Sequence, residues 1–304
     1  MRRLFPPFSL PPLLPLLPPL VPLLLTVPLL CAARPCMAAP PAPAAVLTMA
    51  EGPVRLIRGA VLYRAAAGIA VQADDILETA GGGAQVEAGP AILALGPATR
   101  LLLARLPGTA SGGIEIALLE GWAKVAIKAG AAAAGQAGAR VMAPTLAVTL
   151  PAGVTIVRSQ GANAAVFAEE GGQQLAPAGG KPGAPVRLAT EQYGTFVAGK
   201  PFVGRPAADF LAALPPAFRD ALAPANVAPK AGRVALVKER DAAFADVADW
   251  LRAPPPLRKG FVARFRPRLG DGAFRRELAA ELGDSADWRP VLRPPARRPA
   301  GELF

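Results

Sequence analysis

Between residues 52 and 104, apolar and polar residues alternate in runs of four or five, and Gly or Pro closes most of the runs. Val54-Arg55-Leu56-Ile57-Arg58 leads to Gly59, and Ile76-Leu77-Glu78-Thr79 leads to Gly81-Gly82-Gly83. Ala84 to Ala88 ends at Gly89-Pro90, and Ala91 to Leu95 ends at Gly96-Pro97. A period of two places alternate side chains on opposite faces of a strand, and a turn signal about every ten residues predicts an all-β unit.

The pattern continues to residue 199. Ile114–Leu119 and Trp122–Ile127 read as two strands joined by a hairpin turn at Glu120-Gly121. Val141–Leu150, with Pro144 and Pro151 marking its ends, Val154–Arg158, Ala164–Ala168, Val186–Ala189 and Tyr193–Val197 read as further strands. The segment 129–139 is almost entirely Ala and Gly, and its glycines favour a loop over a helix.

Two absences restrict the chemistry. The chain has no histidine, which removes Ser-His-Asp and Cys-His arrangements, His-ligated zinc and the usual neutral-pH base. Its two cysteines, Cys31 and Cys36, both fall within the first 44 residues. That segment carries Arg2 and Arg3, then an uncharged Leu- and Pro-rich run, then Ala38-Ala39 and Ala42-Pro43-Ala44. This is the order of a cleaved secretory signal, residues 1–44. An uncleaved membrane anchor is the other reading, opposed by the prolines that would interrupt a spanning helix. The expected location is the periplasm, for a mature chain free of cysteine.

The order of several short motifs resembles the FecR-domain family. The matching residues are Gly52 and Gly68, then Asp75-Ile76-Leu77-Glu78-Thr79, Leu95-Gly96-Pro97, Leu118-Leu119-Glu120-Gly121 and Val166–Gly171. The resemblance covers about 100 to 150 residues, within 45–199. It implies a compact, mainly β domain, antiparallel and either β-helical or sandwich-like, in the periplasm. Asp75, Leu77, Thr79 and Gly121 are its fold signature. Members of the family that regulate sigma factors carry a cytoplasmic segment ahead of a membrane helix. Only a few residues precede the apolar run here, so the expectation is the outer domain without the anti-sigma segment. Asp75 and Thr79 read as turn residues that satisfy loose backbone groups. Trp122 reads as a core or sheet-face anchor.

After Gly199 the periodicity changes, and a small α-helical segment is expected over 200–292, followed by a disordered Pro- and Arg-rich tail over 293–304. Helices are expected at 206–214 and 217–222. In a third, over Arg240–Ala253, Phe244, Val247, Ala248 and Leu251 share one face. A basic helix over Leu257–Phe265 and one over Gly272–Leu282 capped by Asp271 follow. A last short helix, capped by Asp284 or Ser285, contains Trp288. Of 33 basic and 22 acidic residues, 19 and 12 lie in 200–304, so the basic excess is concentrated there. Arg258, Lys259, Arg264, Arg266 and Arg268 form a candidate patch for an anionic envelope partner rather than nucleic acid, against the plainer reading of a solvated helical face.

These observations point to an exported, non-enzymatic, FecR-like interaction or sensing protein with an envelope protein or polysaccharide partner. The alternative is a periplasmic module that binds polysaccharide or peptidoglycan, for which Trp122 and Tyr193 are the non-Phe aromatics of the β segment. Cofactors and metals are not expected. Asp74-Asp75 and Glu169-Glu170 are adjacent pairs, and strand neighbours point to opposite faces, so neither suggests a carboxylate catalytic site.

Overall fold

A computed structural model describes residues 45–107, 112–130, 138–179, 185–225 and 236–293. The expected leader and nearly all of the expected tail lie outside them, as do residues 131–137 of the Ala/Gly loop. The first strands are β1 (Val46–Ala50), β2 (Val54–Arg58), β3 (Val61–Ala65), β4 (Ile76–Thr79), β5 (Ala84–Ala88) and β6 (Ala91–Leu95). Then come β7 (Arg100–Arg105), β8 (Ile114–Ile127), β9 (Ala139–Met142), β10 (Leu146–Leu150), β11 (Gly153–Gln160) and β12 (Asn163–Glu170). The series ends with β13 (Gln173–Pro177), β14 (Val186–Leu188), β15 (Gln192–Val197), β16 (Lys200–Gly204) and β17 (Val237–Asp241). The helices are α1 (Ala208–Ala212), α2 (Phe244–Arg252), α3 (Phe261–Phe265), α4 (Gly272–Leu282) and α5 (Arg289–Leu292). The protein is mainly β, with its helices towards the C-terminus.

The strands form two facing sheets. Sheet A runs β1-β5-β6-β8-β11-β12-β15-β16, all antiparallel. Sheet B runs β17-β3-β2-β4-β7-β8-β9-β10-β13-β14, antiparallel except for the parallel β8–β9 pair. Two hairpins bend from one sheet into the other. β4 pairs with β7 in sheet B while their continuations β5 and β6 pair in sheet A. β10 with β13, and β11 with β12, repeat the arrangement. The alternation read in the sequence places Leu56, Leu77, Val86, Leu93, Val125, Val157 and Val166 between the sheets, where all are fully buried.

β8 overturns the expected hairpin at Glu120-Gly121. It is one 14-residue strand that crosses between the bent hairpins, its first half in sheet B and its second in sheet A. Gly121 marks the crossing, at φ +92°. A Cβ there would lie 2.4 Å from Thr99 Oγ1 and 2.6 Å from Thr99 Cα, so the strand can bend past β7 only with glycine at this position. Pro144 does not end a strand over 141–150 but divides it into β9 and β10.

The C-terminal segment covers both outer faces. α1 and the following turn place Phe210 and Phe218 on the outside of sheet A against Trp122, Ile156 and Ala165. α2–α5 pack Val247, Trp250, Leu251, Phe261, Phe265, Phe274 and Trp288 on the outside of sheet B, against Ile57, Leu62, Ile76, Leu102 and Ala117. The composition change after Gly199 is not a structural break. β15 and β16 form a hairpin across it, and the described residues make one compact unit.

Several helix boundaries differ from the sequence expectation. Arg240 and Asp241 belong to β17, an edge strand paired with β3, and α2 begins only at Phe244. The basic helix is shorter than expected: α3 starts at Phe261, after a turn over the Pro254–Leu257 segment. Asp271 does cap α4, accepting hydrogen bonds from Ala273 N and Phe274 N. Ser285 Oγ accepts from Trp288 N ahead of α5.

Candidate binding surface

The signature residues are occupied inside the fold. Asp75 is fully buried. Its carboxylate accepts two hydrogen bonds from Arg58, at 2.9 and 2.6 Å, and one from Gln72 N at 2.8 Å. Leu77 is core. Thr79 Oγ1 donates to Gly96 O at 2.6 Å and accepts from Thr99 N at 3.0 Å. Thr99 Oγ1 in turn accepts from Trp122 N, one residue beyond Gly121. A chain of hydrogen bonds therefore ties β4, β7 and β8 together where β8 changes sheets, and these residues perform the turn-satisfying task that their types suggested.

The basic set does not form one free patch. Arg264 donates to Ile57 O, Gly59 O and Asp74 O at 2.7–2.8 Å and lies over the rings of Phe261 and Phe265. Burial lowers its pKa to about 10, against the charges of Asp74 and Asp75. Arg268 bonds Ala242 O and Asp271, and Arg258 bonds Asp287 and Ala253 O. Lys259 and Arg266 are exposed. Three of the five guanidinium or ammonium groups thus hold the helices to one another and to sheet B.

A second charged cluster, unseen in the sequence, joins sheet B to α2. Glu78, 7% exposed, pairs with Arg55 at 3.0 Å and lies 3.9 Å from Arg100. Arg55 also bonds Asp246 at 2.7 Å, and Arg100 bonds Asp249. Burial pushes the Glu78 carboxyl up, against the charges of Arg55 and Arg100. Desolvation would also raise Asp246, but hydrogen bonds from Arg240 and Ala243 N, with the charges of Arg240 and Arg55, hold it below the usual carboxylate range. Each cation here has an acid partner, so the cluster reads as a latch between sheet and helix.

On sheet A, the cation Lys124 is fully buried. It reaches Glu169 at 2.7 Å and the carbonyls of Phe218 and Asp220 at 2.9 Å, which fastens the strap after α1 to the sheet.

Beyond α1 the outer face of sheet A is left open by the described residues. Trp122, Arg158, Ala165, Thr195 and Phe202 are directly opposite one another on β8, β11, β12, β15 and β16. Neighbours in such a row share a face. The small side chains of Ala165 and Thr195 leave a hollow between larger ones. Of this row Arg158, Ala165 and Thr195 line a cleft of about 390 Å³, together with Gln160, Asn163, Tyr193 and Asp209. Arg158 stacks over the Trp122 ring at 5.2 Å and donates to Gln160 Oε1 at 2.7 Å, with no acidic partner among the described residues. Burial, helped by the Asp209 charge, pushes the Tyr193 hydroxyl up. Val197 and Phe202 flank the cleft and are 63% and 51% exposed. Of these residues only Tyr193 and Trp122 were legible as candidates, because the row exists only once the strand register is known.

Among the described residues no group of three or more His, Cys, Asp or Glu side chains could hold a metal, and no helix is long and apolar enough to cross a membrane. No family model and no curated protein matches the chain. Among solved structures, two crystal structures of a protein from Parabacteroides distasonis, provisionally described as an anti-sigma factor, are similar to it. Both are 14% identical over 45% of this chain, with TM-scores of 0.36 and 0.35. The match spans 62% of that protein's chain, so it is a partial one.

Proposed function

We propose that the chain is an exported, non-enzymatic, FecR-like interaction or sensing module of the bacterial envelope, working in the periplasm through the outer face of sheet A. The observation that carries this reading is the distribution of cover. The C-terminal segment packs over the outside of sheet B and over much of sheet A. The region that the described residues leave open holds a polar cleft flanked by the exposed apolar residues Val197 and Phe202. Exposed apolar side chains beside polar groups are what a binding surface requires. The leader pattern of residues 1–44 supports export.

Photo-crosslinkers placed at Val197 and Phe202 in the producing cells test the reading, with Val237 on the far edge of sheet B as the control position. A discrete adduct at the first two positions and not at the third is expected. Equal labelling at all three, or a hydrolytic activity removed by a single substitution, would overturn it.

A further inference from the structure

We infer that the cleft beside α1 is a binding site for a carboxylate-bearing saccharide unit. This rests on the interaction-module reading and names the ligand class at the same face.

Arg158 supplies the first part of the argument. Its guanidinium is held in place by the Trp122 ring and by Gln160, at 5.2 and 2.7 Å, and no carboxylate among the described residues pairs with it. Other arginines also lack an acid partner among these residues, but Arg158 combines that with a ring-stacked, hydrogen-bonded guanidinium on the lining of a cleft. A positioned guanidinium facing a cleft is suited to a ligand carboxylate, which it can meet with two parallel hydrogen bonds.

The remaining lining matches a sugar better than a peptide. Asn163 and Gln160 offer planar donors and acceptors, and Asp209 offers an acceptor for hydroxyl groups. Phe202 lies outside the lining, on the neighbouring strand opposite Thr195, half exposed and edge-on to the lining residue Tyr193 at a centroid distance of 6.4 Å, where its ring can meet the C–H face of a pyranose that extends past the cleft. The volume of about 390 Å³ lies in the range of small-ligand sites. A peptide that docks by adding a strand would use the free edge of β16. Lys200 and Pro201 lie on that edge, and such residues oppose strand addition.

Titration calorimetry on the full chain at 0.15 M salt tests the site, with trigalacturonate, the neutral maltotriose and a short poly-glutamate as probes. The inference expects saturable trigalacturonate binding, at least tenfold weaker in Arg158→Gln and in Phe202→Ser. Maltotriose would bind weakly, and its affinity would not change in Arg158→Gln. Melting temperatures close to that of the parent chain show that both variants are folded. Poly-glutamate binding of equal strength and equal dependence on Arg158 would overturn the saccharide assignment. Trigalacturonate binding that ignores Arg158 would reduce it to the general attraction of a chain with net charge +11. No trigalacturonate binding at all would also overturn it, while discrete adducts at Val197 and Phe202 would leave the broader interaction reading standing.

Discussion

Arg264 donates a hydrogen bond to the carbonyl of Asp74, 190 residues earlier in the chain, at 2.7 Å. Asp74 has φ +67°, a left-handed conformation uncommon outside glycine, and it directly precedes the buried Asp75. The same guanidinium also holds Ile57 O and Gly59 O. The C-terminal helices therefore brace the turn that opens the D-x-L-x-T strand.

Arg264→Met should leave these three carbonyls without that donor while keeping the aliphatic packing over Phe261 and Phe265. A loss of about 3 kcal/mol is expected from unsatisfied, part-buried acceptors. Urea unfolding measures it. Arg264→Lys should recover only part of the loss, since one ammonium cannot span the geometry of a planar fork.

Gly121→Ala should cost about 3 kcal/mol, from positive-φ strain together with overpacking. The added methyl meets Thr99 Oγ1 and Cα, the residue that links Thr79 to Trp122, so neither side can give way without breaking that chain. A fall in the urea midpoint of this order is the expected reading. An unchanged midpoint would contradict the single-strand path of β8.

Lys124→Met should release the strap over sheet A. It leaves Glu169 without its ion partner and frees the carbonyls of Phe218 and Asp220. Breaking a buried pair from one side costs about 3 kcal/mol. Amide exchange should rise first over residues 216–222, before the sheet strands open.

Glu78 has a pKa raised above the ordinary 4.5 by burial. For such a carboxyl the protonated form favours folding. Its contribution is full below about pH 4.5 and is lost as pH rises through the raised value. Asp246 behaves in the opposite sense. Its pKa is lowered, so its contribution is present above 3.8 and is lost as pH falls through the lowered value. The stability of Glu78→Gln relative to the parent chain should therefore improve as pH increases from 4 to 7. That of Asp246→Asn should worsen as pH rises from the lowered value towards 3.8 and stay level from pH 4 to 7. Thermal melts across pH 3–8 check both.

The strand series, the Asp271 cap and the turn roles of Asp75 and Thr79 were readable in the sequence. Each depends on residues within a few positions of one another: alternation, a Gly or Pro stop, or a short polar side chain beside loose backbone groups. The hairpin expected at Glu120-Gly121 fails for the same reason. Locally, Glu-Gly between two apolar runs looks like a reversal of the chain, and only Thr99, 22 positions away, shows that the glycine is there to let one strand pass another.

The sequence by itself determined a mainly β unit with helices after it, because period and propensity act over a few residues of chain. The tertiary structure alone decided that β8 joins two sheets, that Arg264 and Arg268 serve the fold rather than a free basic patch, and that Arg158, Ala165, Thr195 and Phe202 share one row. Those relationships follow from strand register and from contacts across many tens of residues, where burial and hydrogen-bond satisfaction, rather than local pattern, choose each partner.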